Sequence, residues 1–190
     1  MTNQQSFENR KFESINCLNF DFKLGEFQNC SFLKCDFSGC DLMGAKFIDC
    51  KFIDCNLSNI KVINCSFQGV GFNNCKIIGV DFARVKNLLL EWSFRDCLIE
   101  FCLLHNLEMK KTAFINCQIK EAEFEGVNLA GADFSGTDFE RTKILNSDLS
   151  KADFSRARNY SIDPTKNKIK GAKFKYPDVM GLLDGFEIEY

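Results

Sequence analysis

The chain has 190 residues, 45% of them apolar, and a formal net charge of −2, enough to bury a substantial core in one domain and unlike the composition of a disordered chain. The opening MTNQQSFENRKF holds no apolar stretch of signal-peptide length, and no run anywhere approaches the roughly 20 apolar residues of a membrane-spanning helix. These features predict a soluble, cytoplasmic protein.

From Phe7 onward an apolar residue recurs every five positions: Phe7, Phe12, Cys17, Phe22, Phe27, Phe32, Phe37, Leu42, Phe47, Phe52, Leu57, Val62, Phe67, Phe72, Ile77, Phe82. A period of five fits neither a helix of 3.6 residues per turn nor the two-residue alternation of a strand. It fits a coil whose sides are single pentapeptides. Two positions before the centres sit small residues such as Cys30, Cys35, Ala45, Cys50 and Cys55, and ten of the eleven cysteines occupy this slot, Cys17 being the exception. Two positions after the centre, 19 of 29 repeats have Gly, Asn or Asp, residues that tolerate corners and left-handed backbone.

The register slips by two residues in ARVKNLLLEWSF, residues 83–94, which contains the only tryptophan, Trp92. A solvated corner with Leu88, Leu89 and Leu90 still serving the core is expected; a small projecting bump that touches a partner is the alternative. A second ladder of 13 centres then runs from Phe94 to Phe154, making 29 repeats in all.

Charge is unevenly spread. Residues 121–154 carry 3 basic and 8 acidic residues, against 14 and 13 in residues 1–120. Asp133, Asp138, Glu140, Asp148 and Asp153 are therefore candidate partner-binding residues, because regularly spaced carboxylates can imitate the phosphates that DNA-binding proteins attract. The ordinary reading of such a run is a solvated face.

After Phe154 the repeat fades, with a last possible coil at Ile169 and Phe174. Pro177 suits the first turn of a helix, and Val179, Met180, Leu182, Leu183, Phe186 and Ile188 are too many apolar residues for a free tail. They predict a short C-terminal α-helix over residues 175–190 that either caps its own coil or forms a twofold dimer interface.

Chemistry finds little foothold. One histidine, His105, follows centre Leu104 on the expected outer surface, and no GxxxxGK[ST], GxGxxG or GxSxG motif occurs. A zinc site needs about four converging Cys or His ligands, and the C-x4-C spacing of cysteines five apart is the repeat period itself. No catalytic, cofactor-binding or metal-binding residue is expected, and the chain is read as not an enzyme.

The repeat small-(Asp/Asn)-(Leu/Phe)-x-x, plain in AGADFSGTDFERTKILNSDLSKADF, resembles that of the pentapeptide repeat family over residues 7–154. The resemblance implies an all-β solenoid: a right-handed quadrilateral β-helix with four pentapeptides per coil, hence about seven coils over residues 1–174 and a rod of about 35 Å at strand spacing. In so narrow an interior, cysteine serves as a small buried hydrophobe. Cys30 and Cys50, or Cys35 and Cys55, one coil apart, could approach disulfide distance, but free thiols are expected in a reducing compartment. The tail, with DP, IKGAKF and VMGLL, is similar to the ends of the Qnr-type quinolone-resistance and microcin B17 immunity group. That likeness implies an end-to-end homodimer resembling DNA that binds DNA gyrase or topoisomerase IV, with no direct nucleic-acid or membrane contact. The alternative is a general protein-interaction scaffold of the same fold.

Overall fold

The computed structural model of the chain describes residues 5–186. It is a parallel β-solenoid of about seven turns, built from three-residue strands and single bridges that pair with a residue 20 or 22 positions away. Phe27 pairs with Phe7 and Phe47, and Phe32 with Phe12 and Phe52. Twenty residues at five per side make a four-sided coil. Face one carries Phe7, Phe27, Phe47 and Phe67; face two follows at Phe12, Phe32 and Phe52, face three at Phe37, Leu57 and Ile77, face four at Phe22, Leu42 and Val62.

The five-residue period becomes packing inside the rod. On face two, Phe12, Phe32, Phe52, Phe72, Phe94, Phe114, Phe134, Phe154 and Phe174 form a continuous ladder with ring centroids 4.6–5.3 Å apart and near-parallel planes. Rings from adjacent faces meet edge-on, as Phe27 and Phe32 do at 5.4 Å and 71°. Both arrangements suit the aromatic quadrupole.

The small slot works as foreseen at its cysteines, which also act as donors. The thiols of Cys50, Cys55 and Cys75 point at the carbonyls of Phe27, Phe32 and Phe52 at 3.3–3.4 Å, and Thr137 puts a hydroxyl in the same place, 2.6 Å from the Phe114 carbonyl. The slot is not restricted to small residues, however. Ile60, Leu107 and Val127 are buried there ahead of Val62, Met109 and Leu129, and Val70 and Val80 are buried there ahead of Phe72 and Phe82.

Corners take left-handed backbone at 26 of the 29 expected positions, all but Asn19, Arg84 and Arg156. Leu24, Lys34, Phe101, Lys111, Glu121, Arg141 and Lys151 adopt it without the freedom of glycine, because the stacked coils fix where the chain must turn.

Free thiols hold for nine cysteines, all buried. Cys17 and Cys40 depart from that expectation and form a disulfide with a Cα separation of 5.6 Å, inside the range a disulfide requires. They lie 23 residues apart, the separation at which a slot residue meets a centre of the preceding coil.

The C-terminal α-helix is replaced by two 3₁₀ turns, Asp178–Leu182 and Asp184–Phe186. Gly181 and Gly185 disfavour a helix interior, and Gly181 passes so close to the Tyr160 carbonyl that a Cβ there would collide. The Ile162 amide donates to the Gly181 carbonyl at 3.2 Å and Leu182 packs on the core. The described part of the tail thus packs against its own last coil.

Candidate interaction surface

The interior is filled by one continuous cluster of apolar side chains from Phe22 to Ile162, so whatever this chain recognises must meet its outer surface. Among the described residues no three His, Cys, Asp or Glu side chains converge as metal ligands, and no helix is long and apolar enough to cross a membrane.

The residue before each centre points outward, and several of the aspartates there serve the corner. Asp133 Oδ1 accepts from the Ser135 amide at 2.9 Å and hydroxyl at 2.6 Å, and Asp153 accepts likewise from Ser155 at 2.9 and 2.5 Å. The Ser155 hydroxyl and amide hold the Asp153 carboxyl below the usual aspartate range. Asp36 and Asp148 are lowered in the same way by Ser38 and Ser150, and Asp41 chiefly by the Met43 amide. Hydrogen bonds to the charged form are the cause in each case.

The five carboxylates singled out do not form one row. Positions 20 apart share a face, so Asp133 and Asp153 stack on face two. Asp138 and Glu140 lie on face three, and Asp148, ten residues from Asp138, faces the opposite way on face one. Bases from adjacent coils also meet them: Arg158 of the next coil is 2.9 Å from Asp138 and Lys173 3.4 Å from Asp153, and Lys120 of the preceding coil is 3.3 Å from Glu140. Exposed pairs of this kind contribute only about 0–1 kcal/mol each, but they neutralise much of the acidic field.

Of the tail residues proposed for a dimer, Val179, Met180, Leu182 and Leu183 are half-buried in the cap. Phe186 is 47% exposed and Tyr176 77% exposed; Ile188 lies outside the described residues. His105 is half-buried on the outer side of face four, with Nε2 3.8 Å from a Glu123 carboxylate oxygen.

The register break is more informative than its sequence. Only Leu90 of the three leucines enters the core; Leu88 and Leu89 are 59% and 60% exposed. Trp92 occupies a slot that elsewhere holds Cys50 or Ala132, and its indole donates to the Phe67 carbonyl at 2.8 Å. Two added residues on face one make room for the ring. The Asn87 side chain bridges to the next coil, donating to the Asn106 carbonyl at 2.7 Å and accepting from the Glu108 amide at 2.9 Å. The result is an anchored loop with an apolar tip. Phe101, a 51% exposed aromatic at a corner, was equally invisible, since a corner residue carries no apolar period.

A four-sided rod of stacked pentapeptides with no internal cavity chemistry defines a class of non-globular repeat protein. Two family models agree: the pentapeptide repeat region matches residues 25–88, and pentapeptide repeats in eight copies match residues 122–158, together more than half the chain. The chain belongs to the pentapeptide repeat family. Among solved structures, QnrB1, described as a plasmid-mediated fluoroquinolone resistance protein, superposes with a TM-score of 0.60 at 20% identity, covering 98% of this chain and 99% of that one. HetL of the cyanobacterium Nostoc sp. strain PCC 7120, described as involved in heterocyst differentiation regulation, gives 0.58 at 14% identity over 90% and 86%. No curated protein sequence matches.

Proposed function

We propose that the chain is a non-enzymatic, DNA-shaped rod that binds a type II topoisomerase, DNA gyrase or topoisomerase IV, and shields it from quinolones or a toxin. The observation that carries this reading is the unbroken rod itself: a packed interior leaves recognition to straight outer faces, with Asp133 over Asp153 one coil apart, about 4.8 Å. QnrB1, described as a fluoroquinolone resistance protein, has the same architecture over nearly its whole length, which selects the target to try. Asp138, Glu140 and Asp148 extend the carboxylates onto two further faces, and two copies join through the outer side of the C-terminal cap around Tyr176 and Phe186.

A supercoiling assay with purified gyrase, titrated with this protein with and without ciprofloxacin, tests the reading. Restored supercoiling under drug supports it, and no effect at micromolar protein rejects it. Replacing Asp133, Asp138, Asp148 and Asp153 together with Asn is expected to abolish binding; unchanged binding removes electrostatic imitation and leaves shape. Light scattering checks the dimer, which a monomeric wild type would refute.

A second reading is favoured by Leu88 and Leu89. Side by side on an anchored loop, they suit a general scaffold that docks a protein through an apolar tip. Under it, Leu88→Ser with Leu89→Ser costs partner binding while the four aspartates do not matter.

A further inference from the structure

Cys17 departs from the other cysteines in two respects. It stands at a centre rather than in the slot, and it is exposed, whereas Cys40 is only 2% exposed and the nine free cysteines are all buried. Burial also pushes the thiols of Cys50 and Cys65 up to about 12 and that of Cys102 to about 11, which suppresses the thiolate that exchange chemistry needs.

The segment that Cys17 opens is unusual as well. One coil further on, Phe37, Gly39 and Leu42 donate to the carbonyls of Asn56, Ser58 and Lys61 at 2.7–2.9 Å. Among the described residues, no backbone hydrogen bond of this coil-to-coil kind involves residues 17–23. The turn closes on itself instead: the Leu18 amide donates to Asn16 Oδ1 at 2.9 Å and the Asn19 amide to the Asn16 carbonyl at 3.3 Å. Ring packing of Phe20 and Phe22, an exposed Lys23–Asp41 pair at 3.3 Å and the Cys17–Cys40 bond are what hold the segment to the rod.

We propose that Cys17 and Cys40 form a reversible thiol–disulfide latch that pins residues 17–23 and exchanges with small thiols of the glutathione class through Cys17. In the reducing direction a thiolate RS⁻ attacks Cys17 Sγ, the sulfur of the exposed residue of the pair. The protein S–S bond breaks, Cys40 leaves as a thiolate and takes a proton from water, and Cys17 carries the mixed disulfide. A second RS⁻ attacks the R-bearing sulfur, releasing Cys17 as thiolate and RSSR. Two thiols have then given two electrons to the protein. Oxidation runs the same steps backwards with RSSR as electron acceptor. The column of Cys35, Cys55, Cys75, Cys97 and Cys117 does not compete, because the rod encloses it.

The test equilibrates the intact protein in glutathione buffers from oxidising to reducing, then alkylates it natively with iodoacetamide and reads sites by mass spectrometry. In parallel, limited trypsin digestion follows cleavage after Lys23, inside the latched segment. Label at Cys17 in reducing buffer alone, with the nine free cysteines unlabelled, is expected. Cleavage after Lys23 should quicken about tenfold on reduction, as release of one local opening unit allows, and Cys17→Ala should cleave at the faster rate in both buffers. Equal cleavage rates, earlier labelling of any buried cysteine, or no interconversion across the glutathione range would each overturn the proposal.

Discussion

Phe52→Ala probes the stacking that holds the rod together. The Phe52 ring is fully buried and sits midway along the face-two ladder, 4.9 Å from Phe32 and 5.3 Å from Phe72, with Phe37 and Phe47 edge-on at 5.4 Å. Truncating a buried phenylalanine costs about 3–5 kcal/mol, the transfer loss plus a cavity that neighbours only partly fill. Four aromatic partners, each contributing about 0.5–1.5 kcal/mol beyond burial, and coils clamped from both sides place this site at the upper end. Phe174 closes the same ladder but is half-buried, with Phe154 at 5.3 Å and Tyr160 at 5.7 Å. Phe174→Ala should cost roughly half as much.

Guanidinium melts followed by Trp92 fluorescence measure both variants, since the only tryptophan is buried within the rod. In a linear array each coil contacts only its neighbours, so a mid-rod cavity also weakens coupling between the two halves and should lower the m-value. A loss below about 1 kcal/mol at Phe52, far under the range for buried aromatics, or equal losses at Phe52 and Phe174, would refute the inward stacking argument.

Phe101→Gly should raise stability by about 1 kcal/mol in thermal melts, since a left-handed phenylalanine is strained and this ring is largely exposed; a loss would mean that the ring's packing outweighs its strain. Cys50→Ser should cost under about 1 kcal/mol in denaturant melts, because the hydroxyl inherits the Phe27 carbonyl as Thr137 uses that of Phe114. Asp36, Asp41, Asp148 and Asp153 have depressed folded-state pKa values, so their stabilisation is present above the unfolded value and is lost as pH falls through the folded one. Stability should therefore decline from about pH 5 downward, and Asp153→Asn should flatten that slope in pH-dependent melts. Gly181→Ala should loosen the C-terminal cap, read as faster hydrogen exchange at the Ile162 amide, because the added Cβ meets the Tyr160 carbonyl.

The period of five was legible because burial imposes it: a centre such as Phe32 must be apolar whatever else the chain does. Corners were legible only in part. Gly39 or Asn59 announces a left-handed turn, but Lys34 and Phe101 turn the same way under compulsion from the coils above and below, which no local preference records. The tail read as a helix because Pro177 and the apolar spacing suit one. The close pass of Gly181 over Tyr160 is a contact between residues 21 positions apart in sequence, and it forces tighter turns.

The same arithmetic governs the candidate surface. Sequence places Asp133, Asp138, Asp148 and Asp153 at equivalent positions within their repeats, but equivalence in a repeat is not proximity on a rod. Beyond the register break a face recurs every 20 residues, so a charge run compact in sequence wraps around the section and meets the lysines and arginines of adjacent coils. The Cys17–Cys40 bond shows the converse. Twenty-three residues match neither the repeat nor the coil, yet that is the offset at which a slot thiol lies against the preceding coil's centre, as Cys50 lies against the Phe27 carbonyl. Contacts that cross from one coil's slot to another coil's centre follow from how side chains pack across the coils, and the most specific features of this molecule, Trp92 over Phe67 and Cys17 over Cys40, arise there.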